Sequence, residues 1–335
     1  MSMLVAACGS DDSSSSSSSS STASSATQGK TIKVGLVTDI GGLNDRSFNA
    51  LANKGLEESK SQLGVQGRVI TSRSNSDYVP NLSTLAQQKY DLVIAVGFLM
   101  ADATETVAKR YPNTKFAIID SAQADMKSKP ANVEGLLFKE NEAGYLAGYL
   151  AAKVADKNGD DTISSVGGQK IPPVDGYIAG YQAGAKAAVP GIKTLNAYSQ
   201  DFVDQAKCKE IALNQIQQGS GIVFQVAGQC GLGSLDAAKG QSKLGIGVDA
   251  DQSYLGSYIL TSAEKKIDTA VVQTVKSVQS DAFKGGSDAT FDTKSGGVGL
   301  GKVQGAGTEF ESDIEKVQQQ IAAGSIQIPD TVSGN

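Results

Sequence analysis

The chain has 335 residues, 40% hydrophobic and 19% charged, long enough for two domains of ordinary size. A formal net charge of −5 provides no basic surface for a nucleic-acid polymer, and no run reaches the ~18 apolar residues that cross a bilayer. The chain contains no histidine, which excludes histidine-based catalytic triads and histidine metal sites, and neither a metal nor a cofactor is expected.

The chain opens on Leu4-Val5-Ala6-Ala7-Cys8-Gly9, followed by Asp11-Asp12 and an unbroken run of serines from Ser13 to Ser21. Small residues ahead of a cysteine resemble a bacterial lipobox, in which the cysteine is lipidated and becomes the mature N-terminus. The basic region and most of the apolar region of a signal peptide are absent here. The tract through Gly29 holds too little apolar surface to fold, so residues 1–29 are expected to form a tether reaching roughly 25 Å.

Residues 32–37 are a short apolar run rich in β-branched side chains, the pattern of a strand covered on both faces. A glycine-rich turn spans 38–45. Ser47 then stands as N-cap of a helix whose apolar positions Phe48, Leu51, Ala52 and Leu56 recur at helical spacing over 47–61. In an open α/β sheet the ligand crevice lies beyond the carboxyl ends of the strands, which places Asp39, Asn44, Asp45 and Phe48 at a ligand. Phe48 is either the first core residue of the helix or a stacking platform for a flat ligand.

Further strands are expected at 68–71, 92–97, 116–120 and 133–138, with helices at 81–89 and 101–111 between them. Asp120 ends the fourth strand and faces the same crevice, unless it serves only as a turn or capping residue. A long helix rich in small residues, NEAGYLAGYLAAKVA, begins at Glu140 and opens a second block. Its strands fall at 163–167, 194–198, 221–227, 244–248 and 258–261, and its helices at 175–189, 204–218 and 232–241; helices at 266–283 and 308–323 follow.

The second block has polar strand ends of its own. Phe202 follows one strand, with Asp204 as N-cap of the next helix; residues 227–233 form a glycine loop; Asp249 follows a third strand. Gly228, Gly231 and Gly233 have the spacing G-x-x-G-x-G, the reverse of a dinucleotide-binding fingerprint, so the loop reads as a close approach of backbone to a ligand or to the other lobe. Cys208 and Cys230 are an even pair that an oxidising compartment would join; two separate buried thiols are the alternative. Nothing near them marks a reactive thiolate.

The opening stretch KVGLVTDIGGLNDRSFNALANKG, the FAIID strand, the NEAGYLAGYLAA helix, the Phe202 segment, GQCGLG, GVDADQ and LTSAEKKID appear in the order of a known family. Over residues 31 to 325 the chain resembles the basic membrane protein family of substrate-binding lipoproteins of ABC importers. The resemblance implies an α/β type I periplasmic-binding-protein fold: two Rossmann-like lobes with parallel sheets, joined by three hinge crossovers near Phe138, Ser262 and residues 297–301. Residues 30–138 plus 263–298 would form the N-terminal lobe and 139–262 plus 299–335 the C-terminal lobe.

It also implies an extracytoplasmic monomer, lipid-anchored through Cys8, that performs no chemistry and hands a nucleoside, a purine one by the same resemblance, to an ABC permease. The base would stack between Phe48 and Phe202. Asp39 and Asp120 match first-lobe contacts to base and ribose; Gly228, Asp249 and Lys265 match second-lobe contacts. The chain departs from the family in carrying Gly228-Gln229-Cys230-Gly231 for Gly-Gly-Thr-Gly and Cys208 for a glycine, and two cysteines at two departures favour the disulfide. A sugar or autoinducer receptor of the same fold is the alternative. A nucleoside-cleaving enzyme is a remote one, because the carboxylates are dispersed over both lobes.

Overall fold

The computed structural model describes residues 30–332, so the serine tract and Cys8 lie outside the described residues. The first lobe starts with β1 (Lys33–Val37), α1 (Phe48–Leu63), β2 (Gln66–Ile70), α2 (Tyr78–Gln87), β3 (Leu92–Val96), α3 (Ala101–Arg110), β4 (Lys115–Ile119) and β5 (Val133–Phe138). The second comprises α4 (Glu140–Asn158), β6 (Thr162–Gly167), α5 (Pro172–Ala188), β7 (Lys193–Tyr198), α6 (Gln205–Gln217), β8 (Ser220–Val226), α7 (Gly228–Gly240), β9 (Leu244–Asp249) and β10 (Ile259–Lys265). The chain then returns to the first lobe for α8 (Ile267–Gln279) and β11 (Ser287–Phe291), and crosses again for β12 (Val298–Leu300) and α9 (Glu311–Ala322).

The expected architecture is the one observed. The first sheet has the order β11-β5-β4-β3-β1-β2, all parallel, and the second the order β12-β10-β9-β8-β6-β7, antiparallel only between β10 and β12. Central strands such as β3 and β8 are buried at every residue, as helices on both faces of a parallel sheet require. Every central strand runs toward the junction of the lobes, so its carboxyl end opens there.

Several local expectations need correction. The return crossing lies at Lys266 rather than near Ser262, because β10 continues in the second sheet through Lys265. Strands β11 and β12 were not foreseen: both are short, and each exists by pairing with a neighbour's edge. The second helix starts at Tyr78, three residues before the expected 81. The glycine stretch after β8 is not a loop but the first turns of α7, which begins at Gly228.

Small residues let two helices meet backbone to backbone. On α4 and α5, a Cβ at Gly148 would lie 1.9 Å from the Tyr181 carbonyl oxygen, and one at Gly184 would lie 2.0 Å from that of Tyr145. The run NEAGYLAGYLAA is thus a contact surface that no larger side chain can share. Cys208 on α6 and Cys230 on α7 form a disulfide with Cα atoms 5.6 Å apart. Gly148→Ala is expected to destabilise by ~1–3 kcal/mol through overpacking, despite the better helix propensity of alanine. Gly240→Ala, where a Cβ meets nothing within 4 Å, should be neutral or stabilising in the same urea titration.

Candidate functional site

The carboxyl ends of strands from both lobes surround one narrow cavity. Asp39 after β1, Asp120 after β4, Asp249 at the end of β9, Gly228 after β8 and Lys265 at the end of β10 all line it. Phe48 enters from the first lobe and Phe202 from the second; both rings are half-buried and face the cavity. The cavity has a volume of about 70 Å³, space for roughly five waters.

Phe48 is held by its helix start. The Asp45 carboxylate accepts the backbone N–H groups of Ser47, Asn49 and Ala50 at 3.1, 2.7 and 3.1 Å, so it caps α1 in place of the expected Ser47, whose hydroxyl has no partner. Asp45 lines the cavity with its oxygens already engaged, and burial pushes its carboxyl up despite these donors. Asn49 continues the chain of contacts: its amide donates to Asp45 at 3.0 Å and its carbonyl accepts the Asp39 N–H at 2.8 Å.

One oxygen of Asp39 accepts the Tyr78 hydroxyl and the Ile40 N–H. The other lies over Gly97, where a Cβ would come within 2.7 Å at a φ of +119, so only glycine fits beneath it. Burial raises the Asp39 carboxyl to about 6, more than its two donors lower it. Asp249 is likewise pushed to about 6 by burial, against the pull of Lys265, and accepts the Tyr177 hydroxyl at 3.4 Å.

Lys265 is almost fully enclosed, at 2% exposure. Its ammonium donates to both oxygens of Asp120, at 2.9 and 2.8 Å, and to Glu140 at 2.9 Å. The rings of Phe138, Phe48 and Tyr177 stand 5.2, 5.3 and 5.6 Å from it. Burial pushes the ammonium down, but Asp120, Glu140 and Asp249 together outweigh it and hold Lys265 above its ordinary range. Burial raises Glu140 to about 7.

The structure therefore gathers Asp39, Asp45, Phe48, Asp120, Phe202, Gly228, Asp249 and Lys265 around one space. Asn44 is not among them: it lines an outer groove between α1 and α7, with Arg46, Lys54, Lys239 and Tyr254. Sequence reasoning missed Glu140, Tyr78, Asn49, Tyr177 and Gly97. Only Glu140 carried a signal, as a carboxylate at the head of a helix otherwise built from small residues.

A family model described as ABC transporter substrate-binding protein, PnrA-like, matches residues 32–332. Among curated relatives, an ABC transporter nucleoside-binding protein of Lactococcus lactis subsp. cremoris is 36% identical over 330 residues, covering 91% of this chain and 92% of that protein. An uncharacterized lipoprotein of Pyrococcus furiosus is 37% identical over 316 residues, covering 90% and 78%. Among solved structures, an ABC transporter solute-binding protein from Aeropyrum pernix superposes with a TM-score of 0.81 at 27% identity, over 90% of this chain and 94% of that one.

Two outcomes are expected. Lys265→Met leaves Asp120 and Glu140 enclosed without a counter-charge and should cost ~3–5 kcal/mol in chemical denaturation. Asp39 and Asp249 both sit above their ordinary 3.8, so each contributes stability below that pH and loses it as pH rises through about 6. The melting temperature of Asp39→Asn should therefore fall less than that of the parent between pH 4 and 7; equal slopes would contradict the raised carboxyl.

Proposed function

The chain belongs to the PnrA-like family of ABC transporter substrate-binding proteins, and from that premise we propose that it captures a nucleoside, with purines preferred, in the cavity between its lobes. It delivers this cargo to a membrane permease from outside the cytoplasm, held there by a lipid on Cys8. It carries out no reaction on the cargo. The observation that carries the reading is the presence of Phe48 and Phe202, one from each lobe, on a cavity that also holds the carboxylates Asp39, Asp45, Asp120 and Asp249.

The chemistry supports this cargo. Aromatic faces hold any planar ring, each worth ~1–3 kcal/mol in base stacking, and so do not choose among ligands. Choice comes from acceptors: the free oxygen of Asp39 suits a ring N–H, and Asp120 and Asp249 suit a pair of sugar hydroxyls. An analogue lacking those hydroxyls leaves the Asp249 oxygen that Tyr177 does not reach without a donor. Lys265, engaged by Asp120 and Glu140, offers no free cation to a phosphate. The nucleoside-binding relative and the lipoprotein relative agree with cargo and anchor respectively. No helix among the described residues is long and apolar enough to cross a membrane.

A thermal-shift panel tests the reading. Inosine, adenosine or guanosine at 100 times its dissociation constant should stabilise the protein by about 2.7 kcal/mol, while ribose, arabinose and nucleoside monophosphates should not. A shift with a free pentose and none with nucleosides would overturn the proposal in favour of a sugar receptor, and release of free base on incubation would make the protein an enzyme. Phe202→Ala and Phe48→Ala should each weaken nucleoside binding by ~1–3 kcal/mol in titration calorimetry.

A further inference from the structure

Gln229, the second residue of α7, faces both the cavity and the outer groove. Its neighbour Gln225 uses its carboxamide on Gln252 and on the Ala227 N–H, whereas no described residue takes up that of Gln229. The side chain is half-buried at the mouth of the cavity, so an amide with both a donor and an acceptor stands ready where a ligand would end.

The second-lobe platform lies directly beside it. The Phe202 ring packs on Gly168, where a Cβ would come 2.3 Å from it, and reaches Gly228, where a Cβ would lie 3.9 Å from the ring and 3.5 Å from the Phe202 carbonyl oxygen. The Cys230 N–H donates to that carbonyl at 3.0 Å. A planar ligand lying on Phe202 therefore presents one edge along the first turn of α7. Gly228 and Gln229 contribute N–H groups that lack an intrahelical acceptor. Across the cavity, the carboxylates of Asp39 and Asp120 offer acceptors and no donor. Gln229 is thus the side chain on that rim able to answer either a carbonyl or an amino group.

We propose that Gln229 is a specificity-determining residue that reads the edge of the ligand stacked on Phe202. The proposal rests on the nucleoside reading and adds to it the discrimination between bases. In the parent protein the carboxamide turns either end toward the ligand and so accepts both 6-oxo and 6-amino purines. A carboxylate in its place keeps only the acceptor.

Titration calorimetry of the parent, Gln229→Glu and Gln229→Ala with inosine and adenosine is the test, since these ligands exchange a carbonyl for an amino group at one edge. Gln229→Glu should lower the inosine-to-adenosine affinity ratio by roughly tenfold or more, because the carbonyl then faces an acceptor. Gln229→Ala should lower affinity for both nucleosides by roughly fivefold, at an unchanged melting temperature. A role in packing alone would move the melting temperature and leave the ratio untouched. A ratio in Gln229→Glu within roughly threefold of the parent's overturns the proposal while the nucleoside reading stands. A parent protein that binds neither nucleoside overturns both.

Discussion

One buried ammonium ties the two lobes together where the chain crosses between them. Lys265 ends β10 in the second sheet, Asp120 follows β4 in the first, and Glu140 opens α4 just past the crossing between them. A single positive charge thus joins three segments that meet where the chain changes lobes. Ion pairs removed from water rarely add much net stability, because desolvation cancels most of their attraction, yet removing one member is costly. Such a cluster serves best to select one arrangement of its segments among several. The ring of Phe138 beside the ammonium stacks on Phe291 at 5.0 Å, and these two residues end the neighbouring strands β5 and β11. The crossing between the lobes and the cavity therefore share one set of side chains.

That sharing sets the character of the cavity. With Lys265 occupied by Asp120 and Glu140, the charged groups that line the cavity with unused hydrogen-bonding capacity are carboxylates, and burial has raised two of them to about 6. Asp120 and Asp249 hold matching places, each ending a strand with φ near +60 (66 and 61) in its own lobe. Aspartate tolerates this left-handed backbone better than most residues, and the bend turns its side chain off the sheet and into the gap between lobes. The same local device, repeated in two related halves, supplies an acceptor from each side.

The alternation of buried apolar runs with helical spacing made β1, β3, β4, β8 and the helices between them legible, since each has a full period of its own. Strands β11 and β12 were illegible because Ser-Asp-Ala-Thr-Phe and Val-Gly-Leu carry no pattern until an edge pairs with them. The start of α7 was hidden for a different reason. Glycine argues against a helix, but Gly231 and Gly233 lie where a Cβ would come within 1.8 Å of Gln225 and 1.9 Å of the Gln205 carbonyl oxygen, so close packing overrode propensity. The strand-end aspartates and both phenylalanines could be proposed from position alone. Tyr177 could not, because its importance arises only once Lys265 is folded beside it, and Glu140 offered only its place at the head of a helix of small residues.

The two aromatic platforms are held by the same means on unrelated segments. Asp45 grips the N–H groups on either side of Phe48; Asp201 grips those of Val203 and Asp204, at 2.8 and 3.0 Å, just after Phe202. In each case a carboxylate next to the aromatic fixes the backbone that carries it. The surroundings differ: burial pushes Asp45 up, whereas Lys207 beside Asp201 holds it down to about 2. The second platform has a further tie, because the Phe202 carbonyl accepts the N–H of Cys230, whose side chain is bonded to α6. Backbone on both sides of the cavity is therefore tied within its own lobe, by the same device beside Phe48 and beside Phe202.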